Sequence, residues 1–450
     1  MKGGRVPNWV WAVLVVGHLL AMGWALNRGT WDFPDSGRYR QAAQNLRLYG
    51  EPYARPWSAK VPHSQAVQEF TIRPVGYPLA VLGLGTQGPW PIVLLGVQNV
   101  LSLLNIGLIM VCWAQWARPK ACSWLVAIAG VLTFPAQFIY ANAVMSEMLL
   151  QTAVVGLVAA GGLFIENRQK RYFAAVAAFT IVALLLKPVF YPLSVGVAGV
   201  GMLLAWRYKR VGLAFIGMVP LMVVGLYMEW NAQRTGYFHF SSIAEINLLH
   251  YNAAGVVRQT QGPKAEELWV AGVLREANAQ PDFATRQHLI QARAGEVLWA
   301  HPVVYTRQHL QGMVAMFLDP GRFDVNQFLG LKSPAGGLAQ VRAGNFVQAV
   351  GRMPWGLLGL LGVVLLANVA RLVLAIRGFW RLGSSRPMLR YGRWIAAGLL
   401  LYVALLTGPL GAARFLEPVW PLLFALSLAG LRWGEAPGRG ISGEGGGANA

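Results

Sequence analysis

The sequence predicts an all-α polytopic membrane protein of about ten transmembrane helices. Three observations predict it. Of 450 residues, 55% are hydrophobic and only 12% charged, where soluble chains average roughly 25% charged, and mean hydropathy is +0.44. Several apolar runs reach the roughly 20 residues that cross a hydrocarbon core, too many and too long for a signal peptide. Basic residues gather in alternate turns, as the positive-inside rule requires, and this accounts for the net charge of +20 without nucleic acid as a partner.

Hydropathy places the spans at 9–26, 90–115, 121–139, 143–165, 171–187, 189–206, 211–230, 354–376, 391–408 and 413–431. An even count puts both termini on one side. The turns Arg118–Lys120, Glu166–Arg171 and Arg207–Arg210 then face the cytoplasm. So does the stretch from Arg371 to Arg393, with Arg377, Arg381, Arg386 and Arg390 and no acid. Of the 18 acids only Glu166, Glu435 and Glu444 fall on that side. Cys112 and Cys122 flank one cytoplasmic turn, where two thiols make neither a disulfide nor a zinc framework.

Between the spans lie two outward regions. In the first loop, 27–89, residues 36–49 read as an amphipathic helix with Tyr39, Ala42, Ala43, Leu46 and Tyr49 at helical spacing. Residues 74–86 are apolar but too short to span, which suits a re-entrant or interfacial helix. The chain thus divides into a transmembrane module 1–230, a helical extracytoplasmic loop domain 231–353, C-terminal spans 354–432 and a Gly-rich tail 433–450 expected to be disordered. No internal repeat of the kind that marks secondary transporters is visible.

Seven ionisable residues sit at span ends or in the first loop on the outward side: Asp35, Arg73, Glu147, Lys187, Glu229, Arg414 and Glu417. Charge at membrane depth is costly and marks function. Asp35 precedes the surface helix, where it reads equally as an N-cap or as a general base at the membrane surface. Arg73, followed by Pro74, opens the interfacial helix. It reads as a snorkelling side chain or as a phosphate ligand. Glu147 suits a helix N-terminus but needs a partner. Lys187 is a second basic residue at an outer hairpin. Arg414 and Glu417, three apart, share a helix face and could pair with each other. Their joint placement on one side points to a single site.

No metal or nucleophile motif accompanies them. His239, His250, His288, His301 and His309 are scattered through the outer region, and no His-Glu-x-x-His, Gly-x-Ser-x-Gly or phosphate-loop pattern occurs. No cofactor is called for beyond, at most, a divalent cation, which Asp35 and Glu147 could hold only with further ligands.

These residues resemble the GT-C superfamily of membrane glycosyltransferases, and within it the protein O-mannosyltransferase and aminoarabinose transferase group. Asp35 after the first span is followed by Tyr39, Ala42-Ala43, Leu46 and Gly50-Glu-Pro-Tyr53. Arg73-Pro-Val-Gly-Tyr77-Pro78 is similar to the group's basic-Pro-x-x-Tyr motif, Ser146-Glu147 to its later acid, and Arg414-Phe415 with Pro418 to its C-terminal Arg-Tyr pattern. The likeness covers 1–230 well and the last span weakly. Here Asp35-Ser36 replaces the usual paired acid, leaving Asp35 alone or with Asp32. Arg73 stands where His or Lys is commoner.

The resemblance implies transfer of one hexose or pentose from a polyprenyl-phosphate (undecaprenyl-phosphate) carrier, with inversion, in the cell (inner) membrane and on its periplasmic face. Asp35 would be the base, and Arg73, Lys187 and Arg414 the phosphate ligands. Asp32, Tyr39, Tyr77, Glu147 and Glu417 would bind substrate or support a metal. One carboxylate suffices, since a leaving phosphate needs no proton; a retaining route needs a second about 5 Å away. The acceptor is an extracytoplasmic lipid A, glycan or protein. Two other functions compete: a transporter or flippase for lipid-linked sugars, which wants polar groups at mid-bilayer, and a diphosphate-donor ligase, which needs no acid directly after the first span.

Overall fold

The structure is a computed structural model describing residues 4–58, 64–85, 91–331 and 354–431. The tail 433–450 and the last part of the loop expected at 231–353 lie outside the described residues. No strand occurs among those described. The principal helices, in order, are α1 (Asn8–Arg28), α2 (Ser36–Tyr49), α3 (Gly76–Gly83), α4 (Ile92–Ala117), α5 (Ala121–Leu132), α6 (Pro135–Ala141), α7 (Glu147–Asn167), α8 (Lys170–Leu186), α9 (Leu193–Tyr208) and α10 (Gly212–Thr235). They continue through α11 (Ala254–Gln261), α12 (Pro263–Asn278), α13 (Phe283–Ala300), α14 (Pro302–Leu318), α15 (Arg322–Leu329), α16 (Trp355–Arg381), α17 (Pro387–Thr407), α18 (Ala413–Leu416) and α19 (Trp420–Gly430).

Among the described residues, seven helices are long and apolar enough to cross a membrane: α1, α4, α7, α10 and, with the 3-10 turns at their ends, α9, α16 and α17. The pair α5 and α6, bent by 57°, makes an eighth if it is one span. Two of the ten expected spans come out shorter. Helix α8 has 17 residues, and the expected span 413–431 is broken into α18, a 3-10 turn at Glu417–Val419 and an α19 of 11 residues. Pro418 and Pro421 are the reason, because each removes an amide donor and crowds the preceding turn. Helix α7 is the most enclosed of these spans.

The bend between α5 and α6 follows from Pro135, which drives Phe134 out of the helical region to φ −120° and ψ 80°. The carbonyls freed at the end of α5 are taken by Arg371. Its Nη1 donates to Gly130 O at 2.7 Å and Thr133 Oγ1 at 3.0 Å, and its Nη2 to Thr133 O at 3.0 Å. The guanidinium also suits the negative end of the α5 dipole. This corrects the expected loop from Arg371 to Arg393: Arg371 is buried inside α16, and only 382–386 separate α16 from α17. Charge at that depth is stable because a broken helix supplies its acceptors.

Helices α16 and α19 pack backbone to backbone. A Cβ on Gly378 would collide with Leu426 O, and one on Gly430 with Leu374 O. Lipid leaves little hydrophobic drive between helices, so close approach of small residues carries the contact. Trp420 stacks on Phe134 and Phe424 with centroids 4.6 and 4.9 Å apart, worth about 0.5–1.5 kcal/mol per pair beyond area burial. The contacts tie α19, and with it α18, to the α5–α6 break.

The segment after α10 lies over the first loop, and α14, which follows it, over the ends of α17 and α18. His239 Nε2 and Thr71 Oγ1 are 2.8 Å apart, Ser242 Oγ donates to Gln68 O at 2.8 Å, and His309 Nε2 lies 2.7 Å from Leu405 O. Ala413 N, at the start of α18, donates to Asp319 Oδ2 at 2.9 Å. That bond anchors the residue beside Arg414.

Candidate active site

Five segments converge where α1, α7 and α8 end or begin. The turn after α1 is pinned to the strip ahead of α7: Val144 N donates to Trp31 O at 3.0 Å, and Ser36 Oγ to Val144 O at 2.9 Å. Asp35 is thereby delivered beside Glu147. It occupies the N-cap position of α2, yet its side chain makes no capping bond. Both its oxygens face arginines instead. Arg73 Nη2 donates to Oδ1, and Arg414 Nη2 to Oδ2 at 2.7 Å.

Arg73 reaches this point because α3 starts hard against the end of α8. A Cβ at Gly76 would lie 2.6 Å from Leu185 O, so only glycine permits the approach. The same contact brings Arg73 near Lys187. Lys187 leaves α8 with extended backbone ahead of Pro188, which cannot continue the helix, and its ammonium turns inward. Its Nζ donates to Glu147 Oε1 at 2.6 Å. Arg414 Nε donates to the same oxygen at 2.7 Å. Glu147, the first residue of α7, is fully buried and holds two cations. Three cations thus share two carboxylates in one continuous network, with Arg414 as its bridge.

Burial alone would raise the Asp35 carboxyl; the Arg73 and Arg414 guanidinium groups, with Lys187 behind them, hold it well below the usual carboxylate range. Tyr39 closes one side. Its hydroxyl is 3.3 Å from Ser146 Oγ, and Arg73 stands 5.8 Å from the centre of its ring. Tyr77 packs edge-on to Tyr39 at 4.7 Å, but its hydroxyl donates to Gln98 at 2.9 Å, so it backs the site rather than lining it.

Besides Tyr77, the structure places Glu417, Asp32 and Glu229 differently from expectation. Arg414 and Glu417 do not pair: the Pro418 break leaves Arg414 on the cluster, while Glu417 accepts from Gln151 at 2.9 Å and its second carboxylate oxygen finds no partner among the described residues. Asp32 pairs with Arg40 at 2.7 Å on the exposed side of α2. Glu229 is exposed on α10 and accepts from Gln233 at 3.2 Å. Neither belongs to the cluster. Among the described residues, no group of three or more His, Cys, Asp or Glu side chains is arranged to hold a metal ion.

Asp324 of α15 and Tyr140 of α6 were not singled out by sequence. Asp324 is buried among Tyr140, Asp319 and the field of Arg414; burial pushes its carboxyl up to about 7, against the pull of Tyr140 and Arg414. Nothing in the run Asp319-Pro-Gly-Arg-Phe-Asp324 distinguishes it from a polar loop.

No family model and no curated protein matches the chain. Among solved structures, the chain is similar to the crystal structure of ArnT from Cupriavidus metallidurans bound to undecaprenyl phosphate. The identity is 15%, the match covers 94% of this chain and 78% of that one, and the TM-score is 0.38.

Proposed function

We propose that the chain is an inverting membrane glycosyltransferase that moves one sugar from a polyprenyl-phosphate carrier to an acceptor at the extracytoplasmic surface. The observation that carries this reading is the network itself. Asp35, Arg73, Glu147, Lys187 and Arg414, up to 379 residues apart in sequence, meet at one end of a largely apolar bundle. The motif resemblance of Asp35, Arg73-Pro-Val-Gly-Tyr77, Ser146-Glu147 and Arg414-Phe415 supports the same reading.

Each group has a role. Asp35 accepts the proton of the acceptor hydroxyl or amine as that atom attacks the anomeric carbon. The bond from anomeric carbon to phosphate oxygen breaks, and its electron pair leaves with the polyprenyl phosphate. Arg73, Arg414 and Lys187 stabilise the developing charge on that oxygen; fixed cations in a water-poor site do this without reorganisation. Glu147 positions Lys187 and Arg414. Asp35 is ionised at neutral pH, as a base must be. The acceptor is a glycan, a lipid A or a protein.

The test uses purified protein with a panel of synthetic polyprenyl-phosphate sugars, following release of polyprenyl phosphate from wild type and Asp35→Asn. Release from one donor that is lost in the variant is the expected result. Release unaffected by the variant would remove Asp35 as the base. No release from any donor, in folded protein, would overturn the reading in favour of a diphosphate-donor ligase or a transporter.

A further inference from the structure

On the reading above, we infer that donor binding itself releases the base: the carrier phosphate takes Arg73 and Arg414 from Asp35, and only then does Asp35 accept the acceptor's proton. The geometry carries this. Each oxygen of Asp35 is engaged by a different guanidinium, Oδ1 by Arg73 and Oδ2 by Arg414 at 2.7 Å. These are the groups proposed to hold the phosphate. Base and leaving group therefore compete for the same donors.

The donors are also built to change hands. Arg73 Nε is buried with no acceptor, a state that a buried N–H seldom tolerates and that a phosphate oxygen would relieve. The Arg414 side chain is 26% exposed, against 13% for Arg73 and 10% for Lys187, so an anion arriving from solvent or lipid meets Arg414 first. Arg414 Nε stays bonded to the buried Glu147. The guanidinium can thus pivot about that bond, moving Nη2 from Asp35 to a phosphate oxygen without losing its anchor.

The consequence is electrostatic. The charged groups acting on Asp35 are Arg73 ahead of α3, Arg414 on α18 and Lys187 at the end of α8; Glu147 on α7 shares Arg414 with it, and Tyr39 on α2 faces it as a neutral phenol. While Arg73 and Arg414 are its own partners, Asp35 is a weak proton acceptor. A phosphate withdraws both partners and adds negative charge nearby, and each change makes Asp35 more basic. Acceptor activation then waits for the donor, and binding is ordered with the donor first.

The experiment is calorimetry of the full chain in detergent with polyprenyl phosphate, the sugar-free product, so that no turnover occurs. Titrations at about pH 5, just above the ordinary carboxylate range, in two buffers of different ionisation enthalpy count the protons exchanged on binding. The phosphate's own ionisation enters both proteins alike, so wild type is compared with Asp35→Asn. The expected result is that wild type takes up a substantial fraction of one proton more than the variant. Difference infrared spectra of wild type, with and without polyprenyl phosphate, need no variant: a protonated-carboxyl band should appear on binding at that pH. Binding with equal proton counts, or without that band, overturns the gating and leaves the proposed function standing. Absence of binding in folded protein overturns both.

Discussion

Glu147→Gln should destabilise the protein by about 3–5 kcal/mol, the range for removing one partner of a buried ion pair. Glu147 is fully buried, and one of its oxygens accepts from both Lys187 and Arg414, at 2.6 and 2.7 Å. Glutamine keeps an acceptor oxygen but removes the charge, leaving three cations facing Asp35 alone. Lys187, with only 10% of its side chain exposed, carries most of the loss, because Glu147 is the carboxylate its ammonium donates to and Asp35 acts on it only at longer range. Arg414 carries less, being 26% exposed and still bonded to Asp35. The assay is thermal unfolding of detergent-solubilised wild type, Glu147→Gln, Lys187→Met and the double variant. If the pair is the cause, the double variant lies closer to wild type than Glu147→Gln does, since the orphaned ammonium is gone. Losses that simply add, or a Glu147→Gln midpoint equal to that of wild type, would refute the assignment of Glu147 as the anchor of both cations.

Three other variants test the frame. Asp324, held at about 7 when folded, keeps its proton to higher pH than in the unfolded chain. Its contribution to stability is therefore complete below about pH 4 and is lost as pH rises to about 7, some 4 kcal/mol in all. Asp324→Asn should flatten the decline in unfolding midpoint over that interval, and an unchanged slope would count against the burial of this carboxyl. Arg371→Lys should cost about 1–3 kcal/mol, because a compact ammonium lacks the planar fork whose two ends reach Gly130 O and Thr133 Oγ1 on one side and Thr133 O on the other; a neutral effect would mean the α5 carbonyls have another partner. Gly378→Ala should lower the unfolding midpoint by the equivalent of about 1–3 kcal/mol through overpacking against Leu426 O, and a stabilised variant would show that α16 and α19 are not in backbone contact.

The helical bundle was legible because the bilayer imposes length and apolarity on each span. The breaks were only half legible. Pro135, Pro418 and Pro421 are visible in the sequence, but whether a proline kinks a span or splits it depends on what takes the freed carbonyls. For α5 that partner is Arg371, 241 residues from Gly130. The same long-range pairing is why Arg371 read as one more cytoplasmic charge. Arg414 and Glu417 misled in the opposite sense: spacing of three implies a local pair on a continuous helix, and Pro418 ends that helix. Asp324 was hidden because burial, not residue type, sets its character.

Asp35, Glu147, Lys187 and Arg414 were found because all four obey one constraint. A charged side chain within a lipid-facing helix must be desolvated along with its neighbours. At a helix end, the chain can turn and collect several charges that neutralise one another. Asp35 stands just before α2, Glu147 begins α7, Lys187 follows α8, and Arg414 sits in the single turn of α18. Each is next to a glycine, a proline or a turn that stops a helix. A network built this way needs no stability from its ion pairs to persist, since buried pairs gain little over apolar packing. On the function proposed above, what it gains is a set of cations already desolvated and fixed, which exchange one anion for another as a site for a phosphate-linked sugar requires.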